Sequence, residues 1–283
     1  MRIVRVVATL GAPAVIADEF HLDGLLAAAH PDCRAQHLTR ETDLATLRDP
    51  SLPVMALTEA GVTARLCTSA QYADGTRLTT TRWVKRRDGE DLAQLARPAN
   101  LALGPGKNRM GRLPLVASPT ITWEAVGDRR GITRLLQRLT HVGSDRASGY
   151  GYVRAWSVTW VETETPETVL VRDGVAQRHL PVAWCEWAAG ETTGALVFPY
   201  WHPGRQVERI VPAGTRCVLR PAIVTRVRDA ARGETQSRHR ARHEERAIAR
   251  ALEAQRTAGA PLSKRVQAMI EKHRRYHATR GGG

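Results

Sequence analysis

The chain has 283 residues, of which 42% are hydrophobic and 25% charged, so it is long enough to bury one or two globular cores. Its formal net charge of +14 predicts a polyanionic partner, with nucleic acid first. No apolar run approaches the ~18 residues of a membrane-spanning helix, residues 1–7 suit a first strand better than a signal peptide, and the four cysteines form no CxxC pair. We therefore expect a cytoplasmic protein with no membrane partner, no structural zinc and no cofactor.

The first third of the chain predicts one strand, one helix and then further strands. Residues 2–9 are rich in Val and Ile and predict a strand. Residues 20–30 predict a short, alanine-rich helix that starts near Asp23, whose carboxyl group would cap the first turn. Three further strands are predicted at residues 52–58, 62–68 and 78–84, the first two joined as a hairpin.

Residues 85–113 are polar and glycine-bearing, and a connection of that length without structure indicates a functional excursion. We predict that RNA is bound by its basic residues, which are Lys85, Arg86, Arg87, Lys107, Arg109 and Arg112. Beyond it we expect strands at 120–126 and 153–160 with a helix at 132–139 between them. The order strand, helix, strands, helix, strand is that of an α+β, ferredoxin-like (RRM-like) domain, a plan whose open sheet often binds RNA.

A glycine-rich loop links the second predicted helix to the strand at 153–160. Its sequence is His141-Val-Gly-Ser-Asp-Arg-Ala-Ser-Gly-Tyr-Gly-Tyr-Val153. Glycines let a backbone approach an anion, N–H groups donate to phosphate oxygens, and an arginine adds a charge-assisted contact. We therefore predict that RNA is bound by Gly143, Ser144, Arg146, Ser148, Gly149, Tyr150 and Gly151. The alternative is a helix C-cap with a tight turn, and the spacing fits neither GxGxxG nor a P-loop.

The last two parts of the chain differ in character. Residues 162–227 predict a β-rich second part, whose aromatic residues either stack on bases or pack in a core: Trp184, Trp187, Phe198, Tyr200 and Trp201. Residues 228–283 predict a basic helical tail. From residue 226 onward 15 Lys and Arg face 6 Asp and Glu, so this fifth of the chain supplies +9 of the +14.

The sequence of the tail predicts two helices, at residues 236–255 and 262–277, which are separated by a Gly-Ala-Pro break at 259–261. The first has only a thin apolar stripe, so a solvated charged helix is an alternative for it. In the second, the basic residues lie mostly away from the apolar face. We predict that they clamp a nucleic acid or a partner protein through Arg265, Lys272, Arg274 and Arg275.

Several motifs occur in an order that resembles a known family. They are His21-Leu-Asp-Gly-Leu-Leu-Ala-Ala-Ala29, Gly106-Lys-Asn-Arg109 before Leu113-Pro-Leu115, Trp123-Glu-Ala-Val-Gly127 and the loop from Val142 to Val153, with Pro181 and Pro199-Tyr-Trp201 further on. Over residues 1–221 the ordered set resembles the RAMP superfamily of CRISPR-associated proteins, above all the Cas-five-like subunits of type IV effectors, the Csf-three family. The basic tail has no counterpart in that resemblance.

The resemblance implies a RAMP domain at 1–161 with a thumb-like excursion at about 85–113, followed by the parts at 162–227 and 228–283. It implies a non-catalytic, RNA-binding role in a crRNA-guided surveillance complex. Such subunits hold the crRNA 5′ handle and contact the filament backbone subunit and the large subunit. They lie close to where target double-stranded DNA presents its PAM. Six residues match the family's glycine loop and basic stretch: Gly143, Arg146, Gly149, Gly151, Lys107 and Arg109.

The alternative activity is that of a metal-independent endoribonuclease that processes pre-crRNA, because related RAMP proteins cleave repeat RNA. Such cleavage needs a general base near a 2′-OH and an acid or cation for the leaving oxygen. His21, His30, His141, Tyr150 and Lys107 could supply these groups. A plain RNA-binding or ribosome-associated protein is a third class. No metal site is expected, because His, Asp and Glu are not clustered at ligand spacing and the pair His239 and His243 has arginine neighbours.

Overall fold

The computed structural model describes residues 2–16, 19–35, 42–44, 50–59, 61–85, 109–200 and 202–233, with helical pieces at 248–250, 252–253, 264, 267–268 and 270–271. These residues form an α+β structure that is rich in strands and has few helices. The chain divides into two compact units, Met1–Arg228 and Asp229–Gly283. In the described ranges no helix combines the length and the apolar character needed to cross a membrane.

The strands of the first half are β1 (Arg2–Leu10), β2 (Ala14–Val15), β3 (Ala56–Glu59), β4 (Val62–Arg65), β5 (Gln71–Tyr72), β6 (Arg77–Lys85), β7 (Arg109–Ala117), β8 (Thr120–Gly127) and β9 (Val153–Val161). Those of the second half are β10 (Val171–Arg172), β11 (Val175–Ala176), β12 (Leu180–Pro181), β13 (Cys185–Ala188), β14 (Thr192–Ala195), β15 (Gln206–Val211) and β16 (Cys217–Leu219). The helices are α1 (Leu22–Ala29), α2 (Pro31–Ala35), α3 (Arg129–Leu136) and α4 (221–233).

The main sheet has the strand order β5-β8-β1-β9, and every neighbouring pair in it is antiparallel. In the central strand β1, Val4, Val6 and Ala8 point to one face of the sheet and are fully buried. Because successive side chains of a strand point to opposite faces, these three define the covered face of the sheet. The prediction of a strand at residues 2–9, made from its Val and Ile residues, is therefore confirmed.

Helices α1 and α3 pack on that covered face and complete the core. The buried helical residues are Leu22, Leu25, Leu26, Ala29, Ile132, Leu135 and Leu136. Trp123 on β8 is fully buried beneath them, and its indole N–H donates to the Phe20 carbonyl at 3.0 Å. The hydrogen bond removes the cost of burying the indole nitrogen, so the ring contributes its whole apolar surface to the core.

An ion-pair network ties the opposite face of the sheet to the β-rich part. Glu124 on β8 is 1% exposed and accepts two hydrogen bonds from Arg5 on the neighbouring strand, at 2.9 and 2.7 Å. Arg172 on β10 donates to Glu124 and also to Glu164. A buried carboxylate needs such partners, because an unpaired charge would be costly inside the protein.

Strands β6 and β7 form a long antiparallel hairpin in which Arg77 faces Ala117 at one end and Lys85 faces Arg109 at the other. The prediction of an irregular segment over 85–113 is therefore wrong at both ends. Lys85 ends β6, and residues 109–113 belong to β7. Strand β2 pairs with β7 only at Val116 and Leu115. Residues 86–108, with Arg86, Arg87 and Lys107, lie outside the described residues.

Two other predicted boundaries are also corrected. The residue before α1 is His21, which makes no side-chain cap, and Asp23 lies in the first turn with its side chain buried. Asp23 therefore does not cap the helix as predicted. Residues 221–227, predicted within the β-rich part, start the helix α4 instead. Pro221 suits this first position, because its fixed φ is helical and its missing N–H would have no partner there.

The β-rich part consists of small sheets with the strand orders β12-β15-β14, β13-β16 and β10-β11. Its Trp184 is fully buried and donates to the Glu59 carbonyl at 3.4 Å, whereas Trp187 is 54% exposed. In the second unit, residues 248–250, 252–253, 264, 267–268 and 270–271 are helical, and Leu252 is exposed. The four predicted clamp residues Arg265, Lys272, Arg274 and Arg275 lie outside the described residues.

Candidate nucleic-acid interface and adjoining cavity

The glycine-rich loop is closed at its base by backbone hydrogen bonds. Val142 N donates to the Gly151 carbonyl at 2.8 Å, and Val153 N donates to the Thr140 carbonyl at 2.9 Å. Its tip, Arg146–Ser148, is a single 3-10 turn whose residues are exposed. The predicted arrangement of helix, exposed loop and strand is thus present, from α3 to β9.

Two of the loop's glycines are required by close backbone packing. Gly151 has φ +69°, and a Cβ atom there would lie 1.9 Å from the Val142 carbonyl oxygen. Gly143 has φ +80°, and its Cβ would lie 2.4 Å from the Val15 carbonyl oxygen. Gly149 also has a positive φ of +84°, but nothing lies within 4 Å of the position of its Cβ. The tight-turn interpretation thus explains Gly143 and Gly151 without a ligand.

Some of the loop's backbone donors are engaged inside the protein. Ser144 N donates to Val15 O at 2.9 Å, Gly151 N to Pro13 O at 2.8 Å, and Gly149 N to Arg146 O at 3.0 Å. The N–H groups of Asp145, Arg146 and Ala147 have no partner among the described residues. Asp145 is left-handed, with φ 51°, and Arg146 begins a right-handed turn. Such a reversal turns successive N–H groups toward a common concavity that suits an anion.

The hairpin carries basic residues directly opposite one another. Arg82 on β6 faces Arg112 on β7, both side chains are exposed, and neither has a carboxylate partner among the described residues. Lys85 faces Arg109 in the same register. Like charges directly opposite each other in an antiparallel pair destabilise it. Arg82 and Arg112 therefore concentrate positive charge on one face of the hairpin.

The loop contacts the hairpin through Tyr150. The hydroxyl groups of Tyr150 and Thr81 lie 3.4 Å apart, and Val15, next to β7, accepts from Ser144 of the loop. Thr81 and Arg82 are neighbours on β6, so their side chains point to opposite faces of the hairpin. The structure therefore brings Tyr150 and the hairpin together but places Arg82 and Arg112 on the face away from the loop.

A cavity of about 660 Å³ adjoins the loop. It is lined by Val15, Ile16, Glu19, Phe20, His21, Gly24, Gly143, Ser144, His179, Thr193, Gly194, Ala195, Phe198, Tyr200 and Gln206. These residues come from β2, the start of α1, the glycine-rich loop and the β-rich part. Most of the wall is aromatic or aliphatic.

One wall of the cavity rests on a buried polar cluster. Arg178, fully buried, donates to the carbonyl groups of Arg65 and Leu196 and lies 3.9 Å from the Asp23 carboxyl group. The Tyr200 hydroxyl donates to Asp23, with 2.6 Å to each carboxyl oxygen. Burial and the neighbouring Asp23 raise the pKa of Tyr200 well above its usual value. Tyr200 therefore stays protonated and holds α1 against the β-rich part.

Two histidines of the cavity are kept neutral. His21 is 2% exposed, its Nδ1 lies 2.9 Å from the Ser69 hydroxyl, and its buried Nε2 has no hydrogen-bond partner. Burial and the positive charge of Arg178 lower the pKa of His21 well below its usual value. The same two causes lower the pKa of His179 to about 4. The two rings lie 5.1 Å apart, and His21 lies 4.9 Å from the Tyr200 ring.

The other groups suggested for catalysis contact separate partners. His141 bonds to Thr140 at 2.9 Å and lies against Tyr152, and His30 lies 3.6 Å from Asp32. The described side chains include no group of three or more His, Cys, Asp or Glu that could hold a metal ion. Comparison with protein-family models found no match, and a search of curated proteins found none either.

Sequence reasoning did not identify several residues that the structure places on the hairpin and around the cavity. Arg82 could have been found by pairing the strands 78–84 and 109–115, which places it opposite Arg112. Arg178 and His179 carry no local signal, because their partners Arg65 and His21 lie far away in the sequence. Tyr200 is predicted only as an aromatic residue that stacks on bases or packs in a core, and its hydrogen bond to Asp23 spans 177 residues. His21 is a candidate catalytic group by sequence, but its sequence context indicates neither its burial nor the nearby ring of His179.

Proposed function

We propose that this chain is a non-catalytic RNA-binding subunit of a crRNA-guided CRISPR complex of type IV, in which it holds the 5′ handle of the crRNA. In that role it contacts the filament backbone subunit and the large subunit near the target DNA. The observation that carries the RNA-binding proposal is the pairing of like charges along the β6–β7 hairpin. The ordered sequence motifs supply the CRISPR context.

The opposed arginines Arg82 and Arg112 support the proposal, because two like charges held opposite each other cost free energy when no ligand is bound. Arg82 and Arg112, exposed and directly opposite each other, repel each other in the free protein. A phosphate backbone along the hairpin would turn this repulsion into attraction, and arginine donates to phosphate through two N–H groups at once. The paired strands lead into the excursion at about 85–113 that is predicted to act as a thumb over the RNA.

The strand order also supports the proposal. A ferredoxin-like domain runs βαββαβ and arranges its antiparallel sheet as fourth, first, third and second strand. Here β9, β1, β8 and β5 follow that order, with α1 after β1 and α3 after β8. We propose on this basis that residues 1–161 form a RAMP-type ferredoxin-like domain in which the β6–β7 hairpin is an insertion.

The glycine-rich loop contributes a second anion contact. The exposed Arg146 side chain and the N–H groups of Asp145, Arg146 and Ala147 are available to a phosphate. The Asp145 carboxylate in the same turn offsets part of the Arg146 charge. The loop therefore contributes mainly to the position of the bound RNA, and the hairpin supplies most of the positive charge that attracts it.

Replacing Arg112 by glutamate is expected to change stability and RNA affinity in opposite directions. The new carboxylate faces Arg82, so repulsion becomes attraction and the protein gains about 0.5–1 kcal/mol. RNA binding weakens, and the slope of log K against log salt falls by about 0.7 for the lost contact. Thermal unfolding and fluorescence anisotropy with single-stranded RNA at several salt concentrations measure the two effects.

The matched control is Arg209→Glu, which changes the charge equally at an exposed position. Arg209 is paired with Glu191 at 2.8 Å, so this variant loses a surface ion pair and gains no stability. Equal losses of RNA affinity in the two variants would show that net charge alone attracts RNA. The hairpin would then have no special role.

The tail is proposed to clamp double-stranded DNA or a partner, and replacing Arg265, Lys272, Arg274 and Arg275 by alanine tests it. The assembled complex should hold target DNA less tightly, most visibly at low salt, with a salt slope smaller by up to about 3.6. Binding of crRNA should be unchanged. Alanines at Arg238, Arg240, Arg242 and Arg246 remove the same charge and serve as the control. An unchanged DNA affinity in the first variant would assign its charge to a protein partner.

A further inference from the structure

The cavity beside the glycine-rich loop has the dimensions of a ligand site. Its volume of about 660 Å³ lies within the roughly 300–1,000 Å³ of small-molecule pockets. Phe20, His21, His179, Phe198 and Tyr200 supply flat rings to its walls. Such a composition suits a flat, largely apolar group with a few polar atoms.

One buried polar atom in the wall lacks a partner. The Nε2 atom of His21 is buried and makes no hydrogen bond, although His21 Nδ1 is held by Ser69. An unpaired buried polar atom costs free energy, and a ligand that bonds to it recovers this cost. The neighbouring hydroxyl group of Tyr200 already donates its hydrogen bond to Asp23, so it is not a free donor for a ligand.

The wall carries little charge, which limits the class of ligand. His21 and His179 are neutral because their pKa values are lowered by burial and by Arg178. Glu19 is the one acidic residue among the described lining residues, and it is exposed. An uncharged group is therefore favoured inside, and a phosphate is disfavoured.

Gly143 and Ser144 place the cavity next to the proposed path of the RNA backbone. Both residues line the cavity and belong to the glycine-rich loop, whose tip carries Arg146. A strand whose phosphate lies at the tip could turn its base inward past Ser144. Single-stranded RNA is commonly recognised in this way, with an unstacked base against aromatic rings and its edge hydrogen-bonded.

We infer that the cavity binds one nucleobase of the RNA strand, with His21 Nε2 as a hydrogen-bonding partner of the base edge. This inference rests on the proposed RNA-binding function for the strand, but the pocket itself also predicts that a free nucleoside binds. The glycine-rich loop then has two sides, an outer side for the phosphate and an inner side for the base.

The test uses the full-length protein and an eight-nucleotide RNA with one abasic position, moved along the strand. Removal of the base at one position is expected to weaken binding about 5- to 150-fold, the range given by one base stacked on aromatic side chains. The other positions should have small effects. Free adenosine, guanosine, cytidine and uridine, titrated separately by NMR, report on the cavity without the backbone.

Two variants locate the effect. Thr193→Trp fills the cavity from an exposed position on β14, and His21→Phe keeps a ring but removes the free nitrogen. Both should remove the abasic-position effect and nucleoside binding. Thr193→Trp is the safeguard if His21→Phe fails to fold, because Ser69 loses its partner only in the latter.

The outcomes separate this inference from the proposed function. If all abasic RNAs bind equally and no nucleoside binds, the inference is overturned, whereas salt-dependent RNA binding lost in Arg112→Glu would still support the proposed function. If nucleosides bind in a way that Thr193→Trp abolishes but RNA does not bind, the pocket is supported and the RNA-binding function fails. Nucleoside binding that persists in both variants would place the site elsewhere and refute the inference.

Discussion

Replacing Arg178 by methionine is expected to lower the free energy of unfolding by about 3–5 kcal/mol, because it removes one member of a fully buried charge pair. Asp23 would still accept the hydrogen bond from the Tyr200 hydroxyl group, but its carboxylate would lose the positive charge of Arg178. The carbonyl groups of Arg65 and Leu196 would lose the hydrogen bonds that Arg178 donates to them. For a unit of this size the midpoint of thermal unfolding should fall by roughly 6–20 °C. Scanning calorimetry or circular dichroism measures it.

Arg209→Met is the control for this prediction. Arg209 is 70% exposed in its pair with Glu191, so its loss should cost under about 1 kcal/mol. The double variant Asp23→Asn, Arg178→Met should recover part of the lost stability, because no unpaired charge remains buried. An unchanged midpoint in Arg178→Met would mean that the cluster is not a structural centre between α1 and the β-rich part.

The second large effect is expected at Gly151. An alanine there must hold a φ of +69° with its Cβ 1.9 Å from the Val142 carbonyl oxygen, so the backbone has to move. The shift breaks the bonds that close the loop, and we expect a loss of about 3 kcal/mol. Gly149→Ala has φ +84° but open space around it and should cost only about 1 kcal/mol. Urea unfolding compares the two variants.

The same pair of variants separates the two explanations of the loop. If the glycines serve only packing, Gly149→Ala binds RNA like the unchanged protein. If a phosphate approaches the backbone at the tip, the methyl group of Gly149→Ala weakens RNA binding although the fold is kept. A Gly151→Ala protein as stable as the original would contradict the close approach of Gly151 and Val142.

The parts of the fold that could be predicted are those in which the signal is local. Strand β1 follows from its Val and Ile residues, and the β3–β4 hairpin follows from the turn signal that ends at Gly61. Strand β7 was missed because Gly111 and Pro114 interrupt its pattern. A proline is tolerated there because β2 pairs only with residues 115–116, so Pro114 needs no N–H on that side.

The candidate site was harder to predict than the fold, because its partners are distant in sequence. Asp23 looked like a helix cap, which is its usual role in that local context, but its hydroxyl donor is Tyr200, 177 residues away. Burial of Arg178 reverses what a basic residue normally indicates, since arginine is rarely fully buried unless it is paired. The glycine-rich loop could be predicted because its glycines and Arg146 lie within one short segment of the sequence.

The ion-pair network around Glu124 limits the path that an RNA strand would take in the proposed function. The face of the sheet away from the helices presents residues such as Arg5, Val7, Glu124 and Ser157, and none of its residues in β1, β5, β8 and β9 is aromatic. Proteins that display RNA across an open sheet stack bases on aromatic side chains there. This sheet has no such platform, and its centre is taken by Glu124 and its two arginines. In the proposed function, an RNA strand would therefore pass along the loop and the hairpin and not across this face, part of which the β-rich part already covers.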